Sequence, residues 1–176
     1  MSNKLKKIGV LTSGGDAPGM NAAVRAVVRS AVYNNIDCFG IYKGFEGLII
    51  DDFVKLNARG VNNIVNKGGT ILKSARSLEF RTKEGRKKAK TNLDKYDIDS
   101  LVVIGGNGSL TGAMLLEEEH GIKTIGIPGT IDNDLVGTRC TLGYDTALNT
   151  AVDAIDKIRD TASSHNRLFF IEVMGK

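Results

Sequence analysis

Asp132 and Asp134 flank a single residue in the stretch PGTIDND, residues 128–134, directly after the apolar run 124–127. A buried strand that opens into a polar loop with two carboxylates is a place where chemistry can be done. In open α/β sheets, ligands bind in the crevice beyond the carboxyl ends of the strands. A plain turn accounts for the same residues, because Asp and Asn are common in turns for backbone reasons. Two glycine-rich loops shift the balance toward phosphate. Residues 13–19, SGGDAPG, lie between a strand-like run and a helical pattern, and GGNGS at 105–109 lies between another such pair. A glycine-rich turn between strand and helix points backbone N–H groups at an anion. The loop at 13–19 matches neither the dinucleotide fingerprint nor the Walker A pattern. Arg76 follows a GG turn, and its planar fork suits phosphate, although a surface Arg is the commoner case. Arg25 and Arg29 lie four apart on one helix side, as a solvated face or an anion site.

The elements that must position these residues follow from periodicity. Residues 7–12 predict a first buried strand and 20–33 a helix with Ala23, Val24, Val27, Val28, Ala31 and Val32 on one face. Residues 36–42 predict a second strand, 43–48 a glycine-rich turn, and 61–66 a short helix. The GG turn at 68–69 leads into a short strand that delivers Arg76. Residues 79–92 are charged and predict an exposed helix or its approach. Residues 101–104, LVVI, form a continuous apolar run typical of a central parallel strand. A helix at 110–119, a strand at 123–127 and a helix at 144–163 follow. Leu148, Ala151, Val152, Ile155 and Ile158 form the apolar face of that last helix, with Asp153 and Lys157 as an i,i+4 pair and His165 in the loop beyond. A strand at 168–174 closes the series. A parallel strand normally feeds a crossover helix, so the sequence reads as the first half of a longer fold.

Bulk properties narrow the class. The 176 residues suffice for one domain with a substantial core, and 41% apolar with 25% charged residues is an ordinary soluble balance. The net charge of +4 favours anionic ligands only weakly. No Arg/Lys stripe interleaves with aromatics, which speaks against nucleic acid. Cys38 and Cys140 make neither a disulfide framework nor a zinc site, and fit reduced thiols of a cytoplasmic protein. No apolar stretch predicts a signal peptide or a membrane span.

Taken together and in order, LTSGGDAPGMNAAVR, GGT with SAR, VVIGGNGS, PGTIDND, and DTASSHNR with EVMG resemble the bacterial ATP-dependent 6-phosphofructokinases over essentially the whole chain. The resemblance implies the large N-terminal domain of that fold, an α/β three-layer sandwich with a mainly parallel, Rossmann-like sheet. It implies that residues 1–176 are the nucleotide-binding and catalytic domain and that the C-terminal substrate and effector half is absent. The implied reaction moves the γ-phosphoryl of MgATP to the 1-hydroxyl of fructose 6-phosphate, in glycolysis. A non-catalytic nucleotide-binding half, or a degenerate homologue, is the alternative. A third reading, an NAD kinase sharing the phosphate loop, is opposed by PGTIDND and DTASSHNR.

The resemblance also assigns residues. Gly15, Gly106, Asn107, Gly108 and Ser109 would cradle the ATP phosphates, with Arg76 and Ser77 in contact with ATP and Arg76 stabilising the transferred group. Asp132 would be the general base, with Thr130, Ile131 and Asp134 around sugar and metal. Arg167 would reach the 6-phosphate of a neighbouring subunit's substrate, and Met174, Gly175 and Lys176 match the end of the substrate strand. Arg25, Arg29 and Arg159 match an allosteric site for ADP or another phosphorylated effector in a homotetramer. Asn107 and Asp134 would serve Mg2+. Small residues at Gly108 and Gly129 favour ATP over pyrophosphate as donor. The chain departs from the family pattern at Asn107 and Arg139, each in place of Asp, at Lys176 in place of Arg, and at Ala58 in place of an effector-site Arg beside Arg59.

Overall fold

The structure, a computed structural model, describes residues 7–174. Its chain order is β1 (Lys7–Ser13), α1 (Met20–Tyr33), β2 (Asp37–Ile41), α2 (Phe45–Ile50), β3 (Phe53–Leu56), a 3-10 turn (Glu79–Arg81), α3 (Lys83–Lys95), β4 (Ser100–Gly105), α4 (Asn107–His120), β5 (Lys123–Thr130), β6 (Leu142–Gly143) and α5 (Tyr144–His165). The strands form one six-stranded sheet in the order β3-β2-β1-β4-β5-β6. All neighbours are parallel except β2 and β3.

Side chains alternate across the sheet, as the pleat requires. On one face Ile8, Val10, Cys38 and Ile104 pack with Val24, Val28 and Ala31 of α1, and with Val61, Ile64 and Leu72. On the other, Leu11, Ile41, Leu101 and Val103 pack with Phe45 and Leu48 of α2, Ala89 and Leu93 of α3, and Ala113 and Leu116 of α4. The expected three-layer α/β sandwich with a mainly parallel sheet is therefore present. Burial pushes the Cys38 thiol up to about 12. Arg86 of α3 is 5% exposed. It forks onto Glu119 of α4 at 2.6 and 2.8 Å and donates to the carbonyls of Phe80 and Arg81.

Several expected elements differ. Residues 61–66 are turns, held from the side by α1. The segment 70–76 forms no strand, because the polar groups of β1 and α1 side chains hold it from beneath. The turn at 43–48 is brief and gives way to α2, whose Gly47 lies so close to the Tyr42 carbonyl that no side chain fits. The helix expected from residue 110 begins at Asn107, which places Asn107, Gly108 and Ser109 in its first turn. Residues 168–174 are exposed and form no strand, and no strand among the described residues takes their hydrogen bonds. His165 closes α5 instead of lying beyond it. The apolar face of α5 is real but uncovered: the helix has no buried residue, and Leu148, Val152 and Ile155 stay exposed. Its Asp153–Lys157 pair does form.

Candidate phosphate-transfer site

The sheet changes direction at β1 and β4. From β1 the chain moves outward to β2, and from β4 it moves the other way to β5. Such a switch point leaves a crevice at the carboxyl ends of the two central strands. The loop after β1 carries Gly14 and Gly15, and the turn after β4 carries Gly106. Ser13 and Gly105 are register partners, so the two loops leave the sheet side by side. Gly14 has φ 85°, a left-handed conformation that glycine accepts without cost. Around both Gly15 and Gly108 a side-chain carbon would meet nothing within 4 Å, so each backbone borders open space. Asn107, exposed, and Gly108 and Ser109 form the first turn of α4; the Ser109 and Leu110 N–H groups donate to the Gly106 carbonyl at 3.0 and 3.1 Å, which leaves those of Asn107 and Gly108 without a partner within the helix. No acidic residue lies in that turn, so the positive end of the helix is uncompensated.

β5 brings the carboxylates to the same end. It pairs with β4 as far as Pro128 and with β6 from Gly129 onward. The handover coincides with a residue that has no N–H to donate. Thr130 ends β5, and a side-chain carbon on Gly106 would come within 3.7 Å of its Cβ. Asp132 is half-buried and Asp134 exposed immediately beyond. Thus Gly15, the 106–109 turn, Thr130, Ile131, Asp132 and Asp134 converge on one edge of the domain.

Arg76 arrives by a different route. Its segment has no regular structure and is fixed by polar groups beneath it. Buried Thr12 of β1 donates to the Lys73 carbonyl at 2.8 Å and lies 2.8 Å from the Thr70 hydroxyl. Asn21 of α1, also buried, donates to the Lys67 and Gly68 carbonyls and accepts from the Ile71 N–H at 2.7 Å. The Lys43 N–H donates to the Leu72 carbonyl at 2.8 Å. These ties fix the chain over the end of β1 three residues before Arg76, which itself is exposed. The Ser77 hydroxyl accepts from the Phe80 N–H at 3.2 Å and so serves the 3-10 turn. Thr12, Asn21 and Thr70 are not among the residues that the sequence motifs single out. A Thr inside an apolar strand and an Asn at the start of an apolar helical face were the available signals.

The remaining candidate residues do not join this group. Arg25 donates to the Val61 carbonyl at 2.6 Å, and Arg29 is exposed on α1. Arg159 of α5 pairs with Asp156 at 3.1 Å. Arg167 and Met174 lie exposed in the stretch after α5, and Gly175 and Lys176 fall outside the described residues. Ala58 is half-buried, while Arg59 and Arg139 are exposed. A second concavity lies at the opposite end of β4 and β5, lined by Lys90, Asp94, Asp97, Asp99 and His120. Its charges are mixed, with Asp94, Asp97 and Asp99 on the lining, which makes it a poor phosphate site.

Among the described residues no group of three or more His, Cys, Asp or Glu could hold a metal ion by itself. Mg2+ that arrives on phosphate oxygens needs only one or two protein oxygens. At this edge the Asp134 carboxylate and the Asn107 amide offer oxygens of that kind. No helix among the described residues is long and apolar enough to cross a membrane.

Comparison with known proteins agrees with this geometry. The family model described as phosphofructokinase matches residues 7–176. The chain is 59% identical over 172 residues to ATP-dependent 6-phosphofructokinase 2 of Bacteroides thetaiotaomicron, covering 98% of this chain and 53% of that protein. It is 60% identical to the ATP-dependent 6-phosphofructokinase of Cytophaga hutchinsonii, covering 98% of this chain and 52% of the relative. The solved phosphofructokinase of Saccharomyces cerevisiae superposes with a TM-score of 0.87 at 43% identity, over 92% of this chain and 25% of that one. The chain therefore spans about half the length of the curated relatives it matches. It belongs to the phosphofructokinase family.

Proposed function

We propose that residues 1–176 form the nucleotide-binding and catalytic N-terminal part of an ATP-dependent 6-phosphofructokinase, which phosphorylates fructose 6-phosphate to fructose 1,6-bisphosphate. The observation that carries this reading is the convergence of three loops, from β1, β4 and β5, on the switch-point edge of the sheet. Phosphoryl transfer asks a protein mostly for positioning and charge stabilisation. Backbone N–H groups of the α4 first turn and of the Gly15 loop are suited to the ATP phosphates. Arg76 supplies a fixed positive charge for the transferred group, and Ser77 lies beside it. Asp132 takes the proton from the sugar 1-hydroxyl as that oxygen attacks the γ-phosphorus, and ADP leaves with the electrons of the broken bond. Thr130, Ile131 and Asp134 orient the sugar.

Mg2+ bound with ATP would neutralise phosphate charge, held by Asp134 and Asn107. Arg167, Met174, Gly175 and Lys176 are assigned to substrate, with Arg167 reaching across to a neighbouring subunit of a homotetramer. Arg25, Arg29 and Arg159 are assigned to a phosphorylated effector such as ADP. A cytoplasmic location suits a glycolytic kinase. The neutral amide at Asn107 favours one second reading, a nucleotide-binding relative without turnover.

The test is a coupled assay of fructose 1,6-bisphosphate formation. It uses the chain joined to the C-terminal half of a curated relative, with and without Asp132→Asn. The joined protein is expected to turn over, and Asp132→Asn to lower kcat by about 10²–10⁴-fold with ATP binding retained. A joined protein that binds ATP but forms no product would favour the second reading. Full activity in Asp132→Asn would remove Asp132 from the mechanism.

A further inference from the structure

The loop between β5 and β6 contains no helix or strand, yet it is tied shut by its own side chains. The Asp132 N–H donates to Thr130 Oγ1 at 3.2 Å. Thr141, only 2% exposed, donates its hydroxyl to the Thr130 carbonyl at 2.7 Å. The Thr141 N–H donates in turn to Asn133 Oδ1 at 2.9 Å, and Asn133 Nδ2 reaches the Arg139 carbonyl at 3.4 Å. Asn133 thus uses both ends of its amide on the returning limb. It does so from φ 50°, a left-handed conformation in which Asn is several-fold enriched. Thr141 leads directly into β6, whose Leu142 and Gly143 pair with Gly129 and Thr130.

The two neighbours of Asn133 are Asp132 and Asp134. A residue fixed in φ and held at both ends of its side chain also fixes the backbone from which the flanking carboxylates project. A general base has to lie within a narrow hydrogen-bonding range of the proton it takes. The eleven-residue excursion over 131–141, between β5 and β6, would not hold that range without internal ties. We propose that Asn133 and Thr141 are positioning residues that clasp the Thr130–Thr141 loop and so aim the Asp132 carboxylate. The catalytic part of this inference rests on the assignment of Asp132 as general base, and the clasp itself does not.

The test uses three variants. Asn133→Gly keeps access to the left-handed conformation while deleting the amide. Thr141→Val deletes the hydroxyl at constant shape, and Thr141→Ser restores it. Amide hydrogen exchange is read on the chain itself, and kcat and KM are read on the chain joined to the C-terminal half of a curated relative. In Asn133→Gly the residue 141 amide is expected to exchange about tenfold faster, the change expected for one lost hydrogen bond, while β1 and β4 amides keep their rates. In Asn133→Gly and Thr141→Val kcat should fall by up to about 10²-fold with the KM for ATP nearly unchanged, because a displaced base costs turnover and leaves the nucleotide site intact. Thr141→Ser should recover most of that loss.

Unchanged exchange at residue 141 in Asn133→Gly would overturn the clasp. Faster exchange with kcat unchanged would overturn its positioning role, as would an equal rise in the KM for ATP. If the joined protein binds ATP yet makes no product, the assignment of Asp132 fails, and exchange at residue 141 still decides whether the clasp exists.

Discussion

Ser13 and Gly105 face each other across β1 and β4 so closely that a side-chain carbon on Gly105 would sit 2.5 Å from the Ser13 carbonyl oxygen. The same carbon would lie 2.7 Å from Ser109 Oγ, at the foot of the α4 first turn. The glycine is therefore required by the approach of two strands and a helix start, and its φ has no part in this. Gly105→Ala is expected to lower stability by about 1–3 kcal/mol, the range for overpacking a filled site. It should also weaken nucleotide binding, since the displaced atoms belong to both phosphate loops. Urea unfolding and calorimetric titration with ATP check the two effects. A variant as stable as the parent would show that the strands can part at no cost.

Asn107 sets the electrostatics of the α4 first turn. A carboxylate there would repel metal-free phosphates and attract a hard cation more strongly than an amide does. Asn107→Asp is expected to weaken binding of metal-free ADP by about 2- to 5-fold, the scale of a charge at a helix terminus. It should also increase the gain in affinity on adding Mg2+. Titration of the chain with ADP, with and without Mg2+, measures both quantities. Equal affinities in the two proteins would remove Asn107 from the nucleotide site.

Arg86 and Glu119 tie α3 to α4 beneath the sheet, and the pair predicts an acid limb in stability. The hydrogen-bonded guanidinium holds the Glu119 carboxyl below its ordinary value of 4.5. As pH falls below about 4.5 the unfolded chain takes up a proton before the folded one does, so stability falls. The contribution is complete above that pH and lost once the folded carboxyl is protonated. Asp51, held low by the Lys95 ammonium, acts in the same direction, so a difference measurement is needed. The gap in Tm between the parent and Glu119→Gln should be widest near neutral pH and should close as pH drops below 4.5. A gap that stays constant across this range would contradict the assignment.

What the sequence made legible follows from how local each cause is. The runs at 7–12 and 101–104 announce buried strands because their apolar continuity needs no knowledge of a partner. The shared edge of the glycine loops and PGTIDND was legible from the order strand, loop, helix. Other features depended on contacts distant in sequence. The apolar run 168–174 has strand-forming residues, but a strand exists only where another accepts its hydrogen bonds. Gly44 and Gly47 suggested a turn, whereas Gly47 is small because α2 passes against the Tyr42 carbonyl. β3 offers four residues with Lys55 exposed, too few to show alternation. The segment that carries Arg76 is held by Thr12, 61 residues from Lys73, and by Asn21, 46 residues from Lys67 and 50 from Ile71. Asn133 lay in full view between two aspartates, and its role appeared only with the return of Thr141.

The side-by-side exit of the Gly15 and Gly106 loops has a consequence for the energetics of binding. Their separation is set by the spacing of two hydrogen-bonded central strands, about 4.8 Å, and cannot drift unless the sheet opens. On the proposed reading, a phosphate chain entering between them would meet donors already in place, so association would lose little conformational entropy there. On the same reading, the entropy lost on assembling a productive complex would fall instead on the exposed side chain of Arg76, beyond the last of its anchors at Lys73.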